Sequence, residues 1–129
     1  MGKILLGAEV YTWFMRESGA AYENQLGHMI EMVNKAGFTG IEPMHFWMGD
    51  LTDPVLLKEK LDEQNVLLSG IALVHDWNNS EETAEEVAGA NACIDLLKQF
   101  PGAKLCTVQM PTGRHDLEQR RLNLVSCVN

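Results

Sequence analysis

The stretch GFTGIEPMHFW, residues 37–47, contains the end of a predicted helix, a predicted strand and the loop that follows it. Gly37 is typical of a helix C-terminal cap, and the apolar run over residues 38–44 predicts a short strand. Within that run lies Glu42, and burying an ionised carboxylate is costly unless the group is paired or used. Glu42 is therefore either a structural ion pair, although no arginine lies near it in sequence, or part of a functional site.

The same unit of strand and helix recurs on both sides of this stretch. Apolar, β-favouring runs predict strands at residues 3–13, 38–44, 66–77 and 103–111. Amphipathic or capped segments predict helices from residue 22 to the cap at Gly37 and over residues 51–65, 78–100 and 115–129. The chain therefore alternates four strands with four helices.

Helix ends and buried faces are also predicted from the pattern. Asp53 and Pro54 are placed to cap and begin the second helix. We expect the third helix to start near Ser80, and Asp116 to cap the fourth with Gln119 three residues later. Two apolar faces follow from the spacing: Val87, Ala90, Ile94 and Leu97 on the third helix, and Leu117, Leu124 and Val128 on the fourth.

Strands that are apolar on both faces and alternate with helices are typical of parallel α/β folds, either an open doubly wound sheet or a barrel. No glycine-rich phosphate turn follows the first strand, and the sequence ends in a helix without a closing strand. These features favour a (β/α)8 TIM barrel. We expect residues 1–129 to form one domain, the first four βα units or N-terminal half of such a barrel.

Composition restricts the partners and the compartment. The chain has 129 residues, 46% of them hydrophobic, a formal net charge of -8 and a pI of about 4.9, so nucleic acid is not an expected partner. Three cysteines without a CxxC pair favour reduced thiols and a cytoplasmic location. The sequence contains neither a signal peptide pattern nor the roughly 18 apolar residues of a membrane span, so no membrane partner is expected.

Rare residues cluster where the predicted strands end. Loops after the carboxyl ends of parallel strands open onto one face, so side chains there can meet. Aromatic rings beside carboxylate, amide and imidazole groups suit a polyol, since sugar C–H faces pack on rings while hydroxyls need polar partners. The expected substrate-binding residues are Trp13, Glu42, His45, Trp47, His75, Trp77 and Gln109.

Each residue also has a structural explanation. A single tryptophan is more often loop packing, His75 can be satisfied by its neighbour Asp76, and the Gln109 amide can bond at the edge of the sheet. His115 beside Asp116 at a helix start is explained by solvated capping. Three tryptophans at the ends of three strands favour the binding site.

The segments NKAGFTGIEPM, LLSGIALVHDW and AKLCTVQMP resemble the sugar phosphate isomerase/epimerase superfamily with the xylose-isomerase-like TIM barrel. The resemblance covers the whole chain as strands one to four of eight. It implies an isomerase or epimerase of carbohydrate metabolism that moves a proton next to a carbonyl while a divalent metal (Mn, Mg, Co or Zn) polarises the oxygens. It places Glu42 and His75 on the substrate side.

In that family the metal ligands and the acid/base carboxylates come mainly from strands five to eight, so no metal site and no turnover are expected from these 129 residues alone. Two alternatives are a non-catalytic half-barrel that binds sugar or assembles with a partner, and an apurinic-endonuclease-like metalloenzyme. For the latter, His75 fits the first zinc-ligand position, but Gln109 stands where a second histidine is needed. A half-barrel exposes apolar strand edges, so a homodimer or higher homo-oligomer is expected.

Overall fold

The computed structural model describes residues 5–10, 25–109 and 116–128. In these ranges the elements follow one another as β1 (Gly7–Glu9), α1 (Leu26–Lys35), β2 (Gly40–Glu42), α2 (Pro54–Gln64), β3 (Leu67–Leu68), β4 (Gly70–His75), α3 (Ala84–Leu97), β5 (Lys104–Gln109) and α4 (Leu117–Val128). Two 3₁₀ turns, His45–Trp47 and Gly49–Thr52, lie between β2 and α2. The mixed α/β alternation predicted from the sequence is confirmed.

The strands pair in parallel and in the order of the chain. β1 pairs with β2, β2 with β3, and β4 with β5, the last from Gly70 opposite Lys104 to His75 opposite Gln109. A parallel bridge between Met44 and Ala72 joins the two sheets. Neighbouring strands in the sheets are therefore also consecutive along the chain.

The predicted strand at residues 66–77 is interrupted at Ser69, which separates β3 from β4. The Ser69 N–H donates to the Ile41 carbonyl at 2.9 Å, whereas the Ser69 carbonyl accepts from the Lys104 N–H at 3.0 Å. On the β2 side, Pro43 accepts from the Ala72 N–H but has no N–H of its own to return. Because Pro43 has no N–H, the regular hydrogen bonding to β2 stops at Ser69, where the chain begins to pair with β5.

The two faces of the sheet differ in burial. Ile41, Ile71 and Leu73 are fully or almost fully buried, and α3 lies against the face of β4 that carries Leu73 and His75. On the other face Leu67 and Val108 are 61% and 41% exposed, although Ala72 and Val74 of β4 are buried there. We define the open face as this second side of the sheet, with Glu9, Glu42, Leu67, Cys106 and Val108.

Two predicted helix ends are confirmed. The Asp53 carboxylate accepts hydrogen bonds from the N–H groups of Val55 and Leu56 at the start of α2. After α1, Gly37 has φ +83°, a left-handed conformation that glycine adopts without a Cβ penalty. The tyrosine at which the first helix was expected to begin lies outside the described residues.

Two predicted helix faces are wrong in part: Ala90 and Leu97 of α3 and Leu124 of α4 pack against the core, but the other predicted residues are exposed. In α3 the buried residues are Glu86, Cys93 and Leu96, while Val87 and Ile94 are 40% and 42% exposed. The N-cap of α3 is Thr83 and not Ser80. In α4 the buried residue is Asn123, whereas Leu117 and Val128 are exposed. Both helices turn a polar side chain inward because, as described below, the loop after β4 needs hydrogen-bond partners.

Candidate binding site at the carboxyl ends of the strands

A cavity of about 390 Å³ opens beside the carboxyl end of β4. We define it as the strand-end cavity. Its size lies in the usual range for small-ligand sites. Its walls combine one aromatic ring, two amides, a hydroxyl, an imidazole and three carboxylates, and the lining residues are Phe46, Val74, His75, Asp76, Asn78, Asn79, Thr83, Glu85 and Glu86.

A larger cavity of about 570 Å³ lies at the opposite, amino end of the sheet. Half of its lining residues are leucines or glycines, and the others include Phe100 and the uncharged polar residues Thr39, Ser69 and Gln99. The charged groups on its wall, Lys58 and Asp62, form an ion pair of 2.8 Å. Because polar groups free to bind a ligand converge at the carboxyl end, we place the candidate site in the strand-end cavity.

Two imidazoles lie side by side, and one of them, His75, lines this cavity. The rings of His45 and His75 lie 5.1 Å apart, and the Val74 N–H donates to His45 Nδ1 at 3.2 Å. Burial lowers the pKa of His45, and the neighbouring His75 lowers it further, against an opposing contribution from the Ala72 carbonyl. Since Nδ1 accepts, the neutral His45 ring carries its proton on Nε2 and can donate it.

His75 packs between Trp77 and helix α3. Its ring meets the Trp77 ring edge-on at 5.4 Å, and a Cβ on Gly89 would lie 2.8 Å from His75 Nε2. Gly89 therefore lets α3 approach the imidazole closely. Within the described residues, His75 Nε2 and Trp77 Nε1 are buried without a hydrogen-bond partner.

Glu86 holds the loop that follows β4, residues 76–83, at both of its ends. One carboxylate oxygen accepts from the Trp77 N–H at 2.9 Å and the other from the Thr83 N–H at 2.8 Å, while Thr83 Oγ1 accepts from the Glu86 N–H. Burial raises the pKa of Glu86, but the hydrogen bonds from Thr83 and Trp77 and the nearby His75 outweigh it and lower the pKa below its ordinary value. The loop is built around an ionised carboxylate, with Trp77 at φ +42°.

A row of side chains from β5 and α4 binds the same loop through its backbone. Five consecutive carbonyls, those of residues 76–80, each accept a hydrogen bond from this row. The donors are Gln109 to Asp76 and Trp77, Arg120 to Asp76, Asn123 to Asn78, Cys127 to Asn79 and Ser126 to Ser80. We define these side chains as the carbonyl-binding row. They fix the loop that forms one wall of the cavity.

Asn123 is the most buried member of this row, at 5% exposure, and its amide donates to the Asn78 carbonyl at 2.7 Å. We expect Asn123→Ala to lower the free energy of unfolding by about 2 kcal/mol, because it leaves a part-buried carbonyl unpaired. Ser126→Ala removes an exposed donor that water replaces, so we expect a loss below about 0.5 kcal/mol. Urea unfolding of both variants gives the measurement; equal losses would contradict a special role for Asn123.

The structure brings together some of the predicted site residues. The rings of His45 and Trp77 both contact His75, but only His75 lines the cavity, and Trp77 is 1% exposed. Trp47 is buried with its ring edge-on to Phe46 at 5.3 Å. Trp13 lies outside the described residues.

Glu42 and Gln109 are placed elsewhere. Gln109 donates its amide to the carbonyls of Asp76, Trp77 and Arg120, so it supports the loop and does not line the cavity. Glu42 lies on the open face, where the Cys106 thiol donates to Glu42 Oε2 at 3.4 Å. Burial raises the pKa of Cys106, and the hydrogen bond and charge of Glu42 raise it further. No ion pair to Glu42 occurs within the part of the chain that the structure describes.

Of the lining residues only His75 was predicted from the sequence; those missed are Phe46, Val74, Asp76, Asn78, Asn79, Thr83, Glu85 and Glu86. A usable signal was present for two of them, because Thr83 and Glu86 have the spacing of a capping box. The two asparagines carry no pattern that separates a binding loop from an ordinary turn.

In residues 5–10, 25–109 and 116–128, no three His, Cys, Asp or Glu side chains converge as a metal site would require. Among the helices of those ranges, none combines the length and the apolar character needed to cross a bilayer. Comparisons with models of protein families, with curated proteins and with solved structures found no match.

Proposed function

We propose that the chain forms the first four βα units of a (β/α)8 barrel and contributes the substrate side of a divalent-metal-dependent sugar isomerase or epimerase. Parallel pairing in chain order and a sheet buried on its helical face support the barrel. In such a barrel the open face becomes the interior, where Glu42 and Cys106 would lie. The same barrels carry their sites at the carboxyl ends of the strands.

The observation that carries the functional proposal is the strand-end cavity with its mixed lining. The ring of Phe46 offers a surface for sugar C–H groups, while the amides of Asn78 and Asn79 and the carboxylates of Asp76 and Glu85 offer partners for hydroxyls. His45 does not line the cavity, but its ring packs beside His75, which does. These groups bind and orient a polyol.

The residues that line the cavity are proposed to bind and orient the substrate, and not to transfer the proton. A bound divalent ion would supply polarisation of the substrate oxygens. The alternative of a non-catalytic sugar-binding half-barrel uses the same cavity. The endonuclease alternative gains no support, because Gln109 is engaged with three carbonyls of the loop and α4.

Titration of the chain with D-fructose, followed by amide NMR shifts of residues 74–79, tests the proposal. We expect shifts at those amides, and we expect Phe46→Ala to weaken binding about fivefold because it removes the aromatic surface. Phe38→Ala is the matched control, since Phe38 is also an exposed aromatic but does not line the cavity. Absence of any shift at these amides with fructose and other ketoses would contradict a sugar site.

A further inference from the structure

We infer that the strand-end cavity selects unphosphorylated polyols and excludes their phosphate esters. This inference rests on the proposed sugar-binding function and narrows its substrate class. Two independent features of the cavity support it, the occupied N-terminus of α3 and the sign of the charges on the wall.

The first feature is the helix end. Helix α3 has 14 residues, and the N-terminus of such a helix is the usual place where a phosphate binds, because its first N–H groups have no partner inside the helix. Here the Glu86 N–H already donates to Thr83 Oγ1, and the Thr83 N–H donates to Glu86 Oε2. The capping box therefore occupies two of the N–H groups at this helix start, those of Thr83 and Glu86.

The second feature is the charge. Asp76, Glu85 and Glu86 bring three carboxylates to the cavity wall, and neither lysine nor arginine is among the described residues that line it. Arg120 donates to the Asp76 carbonyl at 3.4 Å from the side of α4 and does not line the cavity. A phosphate dianion is repelled by each carboxylate, whereas a neutral hydroxyl can donate to one.

Glu86 contributes charge without serving as a ligand for substrate. Both of its oxygens accept backbone N–H groups, and those hydrogen bonds hold it ionised. Asp76 and Glu85 are exposed at the wall, so their oxygens are accessible to hydroxyls. The cavity thus combines a fixed negative charge with two carboxylates that can bind a neutral polyol.

The test compares D-fructose with D-fructose 6-phosphate, using calorimetry and the amide shifts of residues 74–79 in the full chain. We expect the ester to bind at least about tenfold more weakly than the free sugar at low ionic strength, and this ratio to shrink in high salt. The double variant Asp76→Asn/Glu85→Gln should reduce the ratio to about twofold, because two of three carboxylate charges are removed. Glu59→Gln/Glu63→Gln on α2 changes the net charge equally and should leave the ratio unchanged.

The possible outcomes separate the two proposals. If the ester binds as tightly as the sugar, or more tightly, the exclusion of phosphate is wrong while the sugar site stands. If the ratio falls equally in the α2 control, the discrimination comes from overall charge, and the assignment to the cavity is wrong. If neither compound shifts the amides, the sugar site is wrong and the inference falls with it.

Discussion

Replacement of Gly70 by alanine is expected to lower the free energy of unfolding by about 3 kcal/mol and the melting temperature by about 10 °C. A Cβ at Gly70 would lie 2.5 Å from the Lys104 carbonyl oxygen and 3.3 Å from Glu42 Oε2. The first of these atoms is backbone, and the Lys104 N–H is itself bonded to Ser69. The neighbouring strand would therefore have to move, which breaks the start of the β4–β5 pairing.

Gly27→Ala is the matched control for this substitution. Gly27 lies in α1, where an added Cβ meets the flexible end of Lys60 at 3.4 Å. Since alanine favours a helix over glycine, we expect the variant to gain about 0.5–1 kcal/mol. Thermal and urea unfolding of both variants give the comparison. A Gly70→Ala protein as stable as the unchanged chain would show that β4 and β5 do not pair in this register.

Glu86→Ala is expected to have the largest effect, a loss of about 4 kcal/mol, because two N–H groups lose hydrogen bonds to a charged acceptor. That loss is a large part of the roughly 5–15 kcal/mol by which a domain is stable. Glu86→Gln keeps one acceptor oxygen and should lose about half as much. Glu85→Gln neutralises the neighbouring exposed carboxylate of the same helical turn and should change stability by less than about 0.5 kcal/mol.

The pH dependence of stability distinguishes the charge of Glu86 from its shape. Because the folded-state pKa of Glu86 lies below its ordinary value of 4.5, its contribution is present above pH 4.5 and is lost as the pH falls through the folded-state pKa. The difference in unfolding free energy between the unchanged chain and Glu86→Gln should therefore shrink as the solution becomes more acidic than pH 4.5. If this difference in unfolding free energy stays constant down to about pH 2, the stabilisation by Glu86 comes from packing and not from its charge.

The parts of the fold that were predictable depend on local signals. Asp53 followed by Pro54 marks the start of α2, and Gly37 marks the end of α1, because caps require particular residues at particular positions. The strands were predicted from apolar, β-favouring runs, which are also a local signal. The break at Ser69 was missed because it depends on Pro43, a residue of another strand that lacks the donor needed there.

The faces of α3 and α4 were predicted only in part, because periodicity counts apolar residues, whereas these helices also bury the polar residues Glu86 and Asn123. Their partners, the backbone groups of the loop after β4, lie nine and 45 positions away along the chain. The site was predicted only in part, because several of its residues are likewise held by contacts between distant parts of the chain. The topology places His45 and His75 together, but no sequence pattern reveals that Gln109 supports the loop from behind.

The carbonyl-binding row has a consequence for how this loop can change. Its donors contact carbonyl oxygens, which every amino acid provides, so the shape of the loop does not depend on which side chains it carries at residues 78 and 79. Selection or library design can therefore vary those two positions to recognise new ligands without redesigning the scaffold beneath them. The residues that have to be kept are those of the carbonyl-binding row, such as Asn123, which do not line the cavity.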